Sequence, residues 1–167
     1  RDSEGFYYVF CKLEEIDTVP KFTPDSEKRR RDLEEYEKRH RQLPFLMSPM
    51  ITNGALAIEL AFKFLIFKEN LEFECEHKLD ILFLQLPQKY GDELRTKIYE
   101  QIHQNEESLM KNLNQISNLF VEARYSFERD TIGYSNFFTD LVHLVCDYVI
   151  DMKKEYIHEE DDILADD

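Results

Sequence analysis

Four of the five histidines in this 167-residue chain follow a glutamate by three positions: Glu37/His40, Glu74/His77, Glu100/His103 and Glu155/His158. On a helix that spacing puts both groups on one face, and two such pairs with two further carboxylates build a di-iron centre inside a bundle. Metal ligands must project inward from core helices. Here Glu100/His103 points away from the apolar face of Leu94, Ile98 and Ile102, and Glu37/His40 sits in a densely charged segment. Glu155/His158 lies near the end of the last helix, and Glu74/His77 lies in a connector. The expectation is a chain that holds no metal and no cofactor.

Other chemistries are missing from the text of the chain. No glycine-rich loop cradles phosphates, and no G-x-S-x-G marks a nucleophile elbow. Cys11, Cys75 and Cys146 are odd in number, widely spaced and form no C-x-x-C. That pattern fits reduced thiols better than a disulfide framework or a zinc knuckle. The basic runs Arg29–Arg31 and Lys38–Arg41 could grip phosphates. Between Lys21 and Arg41, however, eight basic and six acidic residues interleave at helical spacing, which reads as a solvated, salt-bridged face.

The remaining candidates are charges set among apolar residues. Glu59 and Lys63 interrupt the most apolar stretch of the chain at i and i+4, glutamate first, the favourable order on a helix. Arg124 stands between Val121, Ala123, Tyr125 and Phe127, on the flank of a hydrophobic seam. Buried without a partner, each of these charges is costly. Glu128, one turn on, is the nearest partner for Arg124, and Glu59 is the other if their helices pack together. The set Glu59, Lys63, Arg124 and Glu128 is therefore either an ion-paired cluster that fixes helix register or a polar pocket where Arg124 meets a phosphate.

The elements that must position these groups read as helices. The opening "GFYYVFCKLEEI" is aromatic and leaves strand and helix open. Asp25 or Ser26 caps a charged helix that ends before Pro44, whose apolar stripe of Leu33, Tyr36 and Leu43 is too thin for a core. Ser48-Pro49 starts a helix to about Glu69, with Ile51, Ala55, Ile58, Phe62 and Leu65 on one seam and apolar residues nearly all round. A short helix over "HKLDILFLQLP" stops at Pro87, and an amphipathic one carries Leu94, Ile98 and Ile102. Asn105 or Ser108 opens a long helix whose seam, Leu109, Leu113, Ile116, Phe120, Ala123 and Phe127, keeps bundle spacing. Ser135 caps a last helix with Phe138, Leu141, Val145, Tyr148 and Met152 on its face. The fold class expected is all-α, an antiparallel helical bundle of about five to six helices. Residues 1–47 form an N-terminal extension with the charged helix, 48–157 the bundle, and 158–167 an acidic disordered tail.

Composition agrees. Hydrophobic residues make up 43% of the chain, enough for one sizeable core, and four glycines with five prolines favour long helices over turn-rich sheets. The formal net charge is −14, of which the last ten residues supply −6 through six acids and no lysine or arginine. Such a balance weighs against non-specific binding to nucleic acid or anionic membrane. The apolar stretch over residues 55–67 is broken by Glu59 and Lys63 and is too short to span a bilayer. With no signal peptide in view, a soluble, cytoplasmic protein that binds no membrane is expected.

The layout of "NGALAIELAFKFLIF", "HKLDILFLQLP" and "NLFVEARYSFE" resembles the HEPN superfamily, the higher-eukaryote and prokaryote nucleotide-binding domains, over residues 50–150. The resemblance rests on "ELAFK" (Glu59, Lys63), "HKL" (His77, Leu79) and "FVEARY" (Phe120 to Tyr125). It implies an all-α domain of a kind often found as a metal-independent endoribonuclease in toxin–antitoxin and phage-defence systems, and commonly homodimeric. Active members carry an arginine followed after four to six residues by a histidine. Arg124 matches the arginine, but no histidine follows before His143, nineteen positions on. The resemblance thus implies a domain without conventional ribonuclease activity, an RNA-, nucleotide- or protein-binding module. The alternative is a divergent endoribonuclease that uses Arg124 with Glu59, Glu128 or a histidine brought from elsewhere. It also gives His77 a capping role at the start of the short helix.

Overall fold

The computed structural model describes the backbone of residues 2–17, 26–42, 47–69, 76–124 and 136–165, and the side chains of 3–16, 27–38, 48–69, 76–118 and 136–154. Seven α-helices occupy this part of the chain: α1 (Asp2–Asp17), α2 (Ser26–Gln42), α3 (Met47–Lys68), α4 (Leu79–Leu84), α5 (Gln88–Lys97), α6 (Glu106–Arg124) and α7 (Asn136–Ala165). The described residues contain no strand, so the fold is all-α. The count is seven where the hydrophobic seams give about five to six. The addition is α1, the aromatic stretch whose periodicity left strand and helix open.

α3 is central because it has apolar side chains on most of its circumference. It packs against α1, α4, α6 and α7. Its seam of Ile51, Ala55, Ile58, Phe62 and Leu65 is buried as expected, while Phe67 near its end is exposed. Each large side chain buried in this way contributes about 1.5–3 kcal/mol. Over Ser48–Lys68 the helix is longer than the 55–67 stretch, and by length and composition alone it could cross a membrane. In this fold that same apolar surface is the protein's core.

α1 lies on α3 because Phe6, Phe10 and Leu13 recur on one face, and Ser3 Oγ donates to the Ala57 carbonyl at 3.2 Å. Gly54 allows the approach. A Cβ there would stand 2.7 Å from Phe138 Cζ and 2.9 Å from Phe10 Cδ2, so only glycine lets these rings close over α3. They meet edge to face, with centroids 5.9 Å apart. α7 buries Phe138, Leu141, Val142, Val145, Cys146 and Val149, whereas Tyr148 and Met152 lie half-buried at the margin of that face.

Local signals set the helix ends. Pro87 precedes α5, which runs on as a π-helical segment over Ile98–Ile102 and stops at His103 in the left-handed conformation, φ 58°. Asn105 caps α6: its Oδ1 accepts the Ser108 backbone N–H at 2.9 Å. α7 continues helical to Ala165, so the acidic segment expected as a disordered tail has helical backbone through residues 158–165. That stretch holds no proline or glycine to break a helix begun upstream.

Candidate functional site

The one carboxylate in the apolar seam of α3 collects partners from two elements. Glu59 is buried, and its Oε1 accepts from Lys63 Nζ at 2.7 Å, one turn along the same helix. The same oxygen lies 2.8 Å from His77 Nδ1, which comes from the segment leading into α4. The Lys63 side chain is 15% exposed, so the ion pair is drier than a surface pair. The His77 ring is 67% exposed: one nitrogen is held by the carboxylate and the rest of the ring faces outward.

The chain before α4 is fixed in turn. Glu76 Oε1 accepts the backbone N–H groups of His77 at 2.7 Å and Lys78 at 2.8 Å, and these two bonds hold its carboxyl below the usual carboxylate range. His77 does not cap α4: its imidazole is turned to Glu59, the N-cap position is Lys78 with no side-chain cap bond, and the first helical N–H, that of Leu79, goes to Ser117. Glu76 instead folds back on the two backbone N–H groups just before the helix and so fixes the connector, while a ring bonded to Glu59 is not placed to reach the first turn.

α4 is registered against α6 by Leu79 N–H, which donates to Ser117 Oγ at 2.9 Å, and by Asn114 Nδ2, which donates to Asp80 Oδ2 at 3.0 Å. Going backward from Asp80 to Leu79 thus corresponds to going forward from Asn114 to Ser117. Arg124 is the last residue of α6, two turns beyond Ser117 or about 10 Å along the axis. The Arg124 side chain and the whole of Glu128 lie outside the described residues, and so does their pairing.

A second polar cluster joins α1 to α7. The Tyr7 hydroxyl donates to Asp147 Oδ1 at 2.8 Å and lies 2.8 Å from His143 Nδ1, while His143 Nε2 lies 2.7 Å from Glu14 Oε2. With the single phenolic hydrogen on Asp147, all three bonds are made only when each ring nitrogen of His143 also carries a hydrogen. Burial and the Asp147 carboxylate push the Tyr7 hydroxyl well above the usual phenol range, so it keeps its proton. Burial also raises the neighbouring thiols Cys11 and Cys146, which are free and suited to packing more than to nucleophilic attack. This cluster was not anticipated. Its signal in the sequence was Phe6–Phe10–Leu13, which as a helix puts Tyr7 and Glu14 seven residues apart on one side.

Of the four Glu-x-x-His pairs, only Glu100/His103 has both side chains described, and both are exposed on the surface. Among the described residues no three His, Cys, Asp or Glu side chains stand together to hold a metal ion. Comparison with protein-family models, with curated proteins and with solved structures gives no match to this chain.

Proposed function

We propose that the chain is a HEPN-like helical domain that binds RNA or a nucleotide without the conventional arginine–histidine ribonuclease chemistry. The observation that carries the reading is the Glu59–Lys63–His77 cluster. Glu59 and Lys63 belong to one motif of the resemblance and His77 to another, and a single carboxylate oxygen joins them. The third motif, with Arg124, lies on α6, the helix to which Leu79 beside His77 is bonded through Ser117. A phosphate meeting the exposed imidazole would find the buried carboxylate's charge already offset by Lys63. At net −14 the chain has no general attraction for nucleic acid, so binding is local to such a site. A homodimer and a role in bacterial defence or a toxin–antitoxin pair follow from the likeness to the family alone.

One observation favours a second reading, a divergent metal-independent endoribonuclease. A histidine whose Nδ1 is held by a buried carboxylate, with its other edge toward solvent, is arranged as proton-transfer histidines are. The decisive experiment scores RNA binding and RNA cleavage together, with wild type beside His77→Ala and Arg124→Ala. Binding without cleavage, weakened about tenfold or more in either variant at unchanged melting temperature, is the expected result. Cleavage lost in His77→Ala would install the second reading. Wild-type protein that neither binds nor cleaves would sink both.

A further inference from the structure

Away from Glu59, a groove of about 910 Å³ runs between α5 with its π-helical continuation and α7. Its volume is that of a small-molecule site. The two walls differ in net sign. Lys89 and Lys97 stand on the α5 side with Glu93, whose carboxylate is engaged by the Tyr148 hydroxyl, and Asp140, Asp147 and Asp151 stand on the α7 side.

Opposite charges that line one groove usually close into ion pairs, and a chain with 35 acidic against 21 basic residues offers every lysine a choice of carboxylates. Lys89 and Lys97 have none within ion-pair distance among the described residues. Their ammonium groups rest over the rings of Tyr90 and Tyr148, 5.7 and 5.9 Å from the centroids. The rings are pinned by their hydroxyls, Tyr90 on Glu69 Oε1 at 2.7 Å and Tyr148 on Glu93 Oε2 at 2.6 Å. Across the groove Asp140 is exposed and makes no ion pair among the described residues. Gln101 and Ile102 of the π-helical segment form part of the lining, and π-turns recur where helices are reshaped around ligands.

We propose that this groove binds a small zwitterion, a molecule with a carboxylate or phosphate at one end and an ammonium or guanidinium group at the other. The anionic end displaces water from Lys97 and Lys89 while the cationic end meets Asp140. Each half alone faces the opposing wall as a like charge, so a pure anion or a pure cation fits worse than a molecule carrying both. The inference does not depend on the RNA-binding reading, which concerns a different face.

The test is titration calorimetry and NMR shift mapping with three probes: the dipeptide glutamyl-lysine, inorganic phosphate and spermidine. The dipeptide is expected to bind most tightly and to shift resonances along α5 and α7. Lys97→Gln and Asp140→Asn, which remove one charge each and keep a polar side chain, should each weaken it about three- to tenfold with the circular dichroism spectrum unchanged. Phosphate or spermidine binding as tightly as the dipeptide would overturn the proposal. So would dipeptide binding indifferent to both substitutions, or no dipeptide binding at all.

Discussion

Lys63 Nζ lies 2.7 Å from Glu59 Oε1, an ion pair one turn long set into the most apolar helix of the chain. Its partners are held by α3 itself, so forming it orders little beyond two side chains. Removing Lys63 takes from the buried carboxylate its ammonium neighbour and leaves it the exposed His77 ring, and removing Glu59 takes the carboxylate from a largely buried ammonium group. Glu59→Ala is expected to cost about 2–4 kcal/mol, and Lys63→Ala about the same or slightly less because Lys63 reaches solvent. The double substitution Glu59→Leu, Lys63→Met should recover most of that loss, since a buried pair exchanged for apolar residues of similar size is often neutral. Urea unfolding of the four proteins checks it; a double variant as unstable as the sum of the singles would refute the coupling.

Gly54→Ala is expected to destabilise by about 1–3 kcal/mol, because the new methyl meets two aromatic rings and Val142 at 3.0 Å or less. In a domain of this size that lowers Tm by roughly 2–4 °C per kcal/mol. Calorimetry decides it, and a raised Tm would mean that the rings move aside without cost.

Asn105→Ala removes the side-chain acceptor of the Ser108 N–H at the start of α6. A loss of about 1 kcal/mol is expected, with Asn105→Asp retaining most of the wild-type stability. Equal stability of all three proteins in guanidinium would show that water caps α6 equally well.

Alkali should unfold the protein through its tyrosines. Burial, and then the hydrogen bond to Glu69, push the Tyr90 hydroxyl up to about 12 from an ordinary value of 10.0. Tyr7 is raised further in the same direction. A phenol raised in the fold contributes stability that is complete below the unfolded value. Above it the unfolded chain sheds protons that the native state keeps, and the contribution is gone once pH passes the folded value. Stability should therefore fall between about pH 10 and 12, and less steeply in Tyr90→Phe. Phenolate absorbance followed alongside ellipticity tests it: ionisation of all tyrosines near pH 10 without loss of helix would contradict the burial.

The helices could be read from the chain wherever apolar residues recur at one helical spacing. The seam of α3 and the buried start of the α6 seam, Leu109, Leu113 and Ile116, lie where their periodicity puts them. α1 could not be read this way, because Phe6, Tyr7, Tyr8, Val9 and Phe10 are contiguous and a contiguous run has no period. The Glu59–Lys63 pair was visible because both partners lie on one helix. His77 was not, because eighteen positions and a turn of chain separate it from Glu59. The hint was thermodynamic: a glutamate in an apolar seam requires partners, but its need does not name them.

The contact between Tyr7 and His143 spans 136 positions, and Lys153 Nζ reaches Glu4 across 149. α1 and α7 therefore complete each other, and this has a consequence for synthesis. As the chain emerges, α1 can lie on α3 early, but the flank that carries Tyr7 and Phe10 has no lid until α7 arrives. At ordinary elongation rates that interval is roughly 7–27 s. Until it ends, the nascent domain exposes an aromatic strip, the kind of surface a chaperone shields.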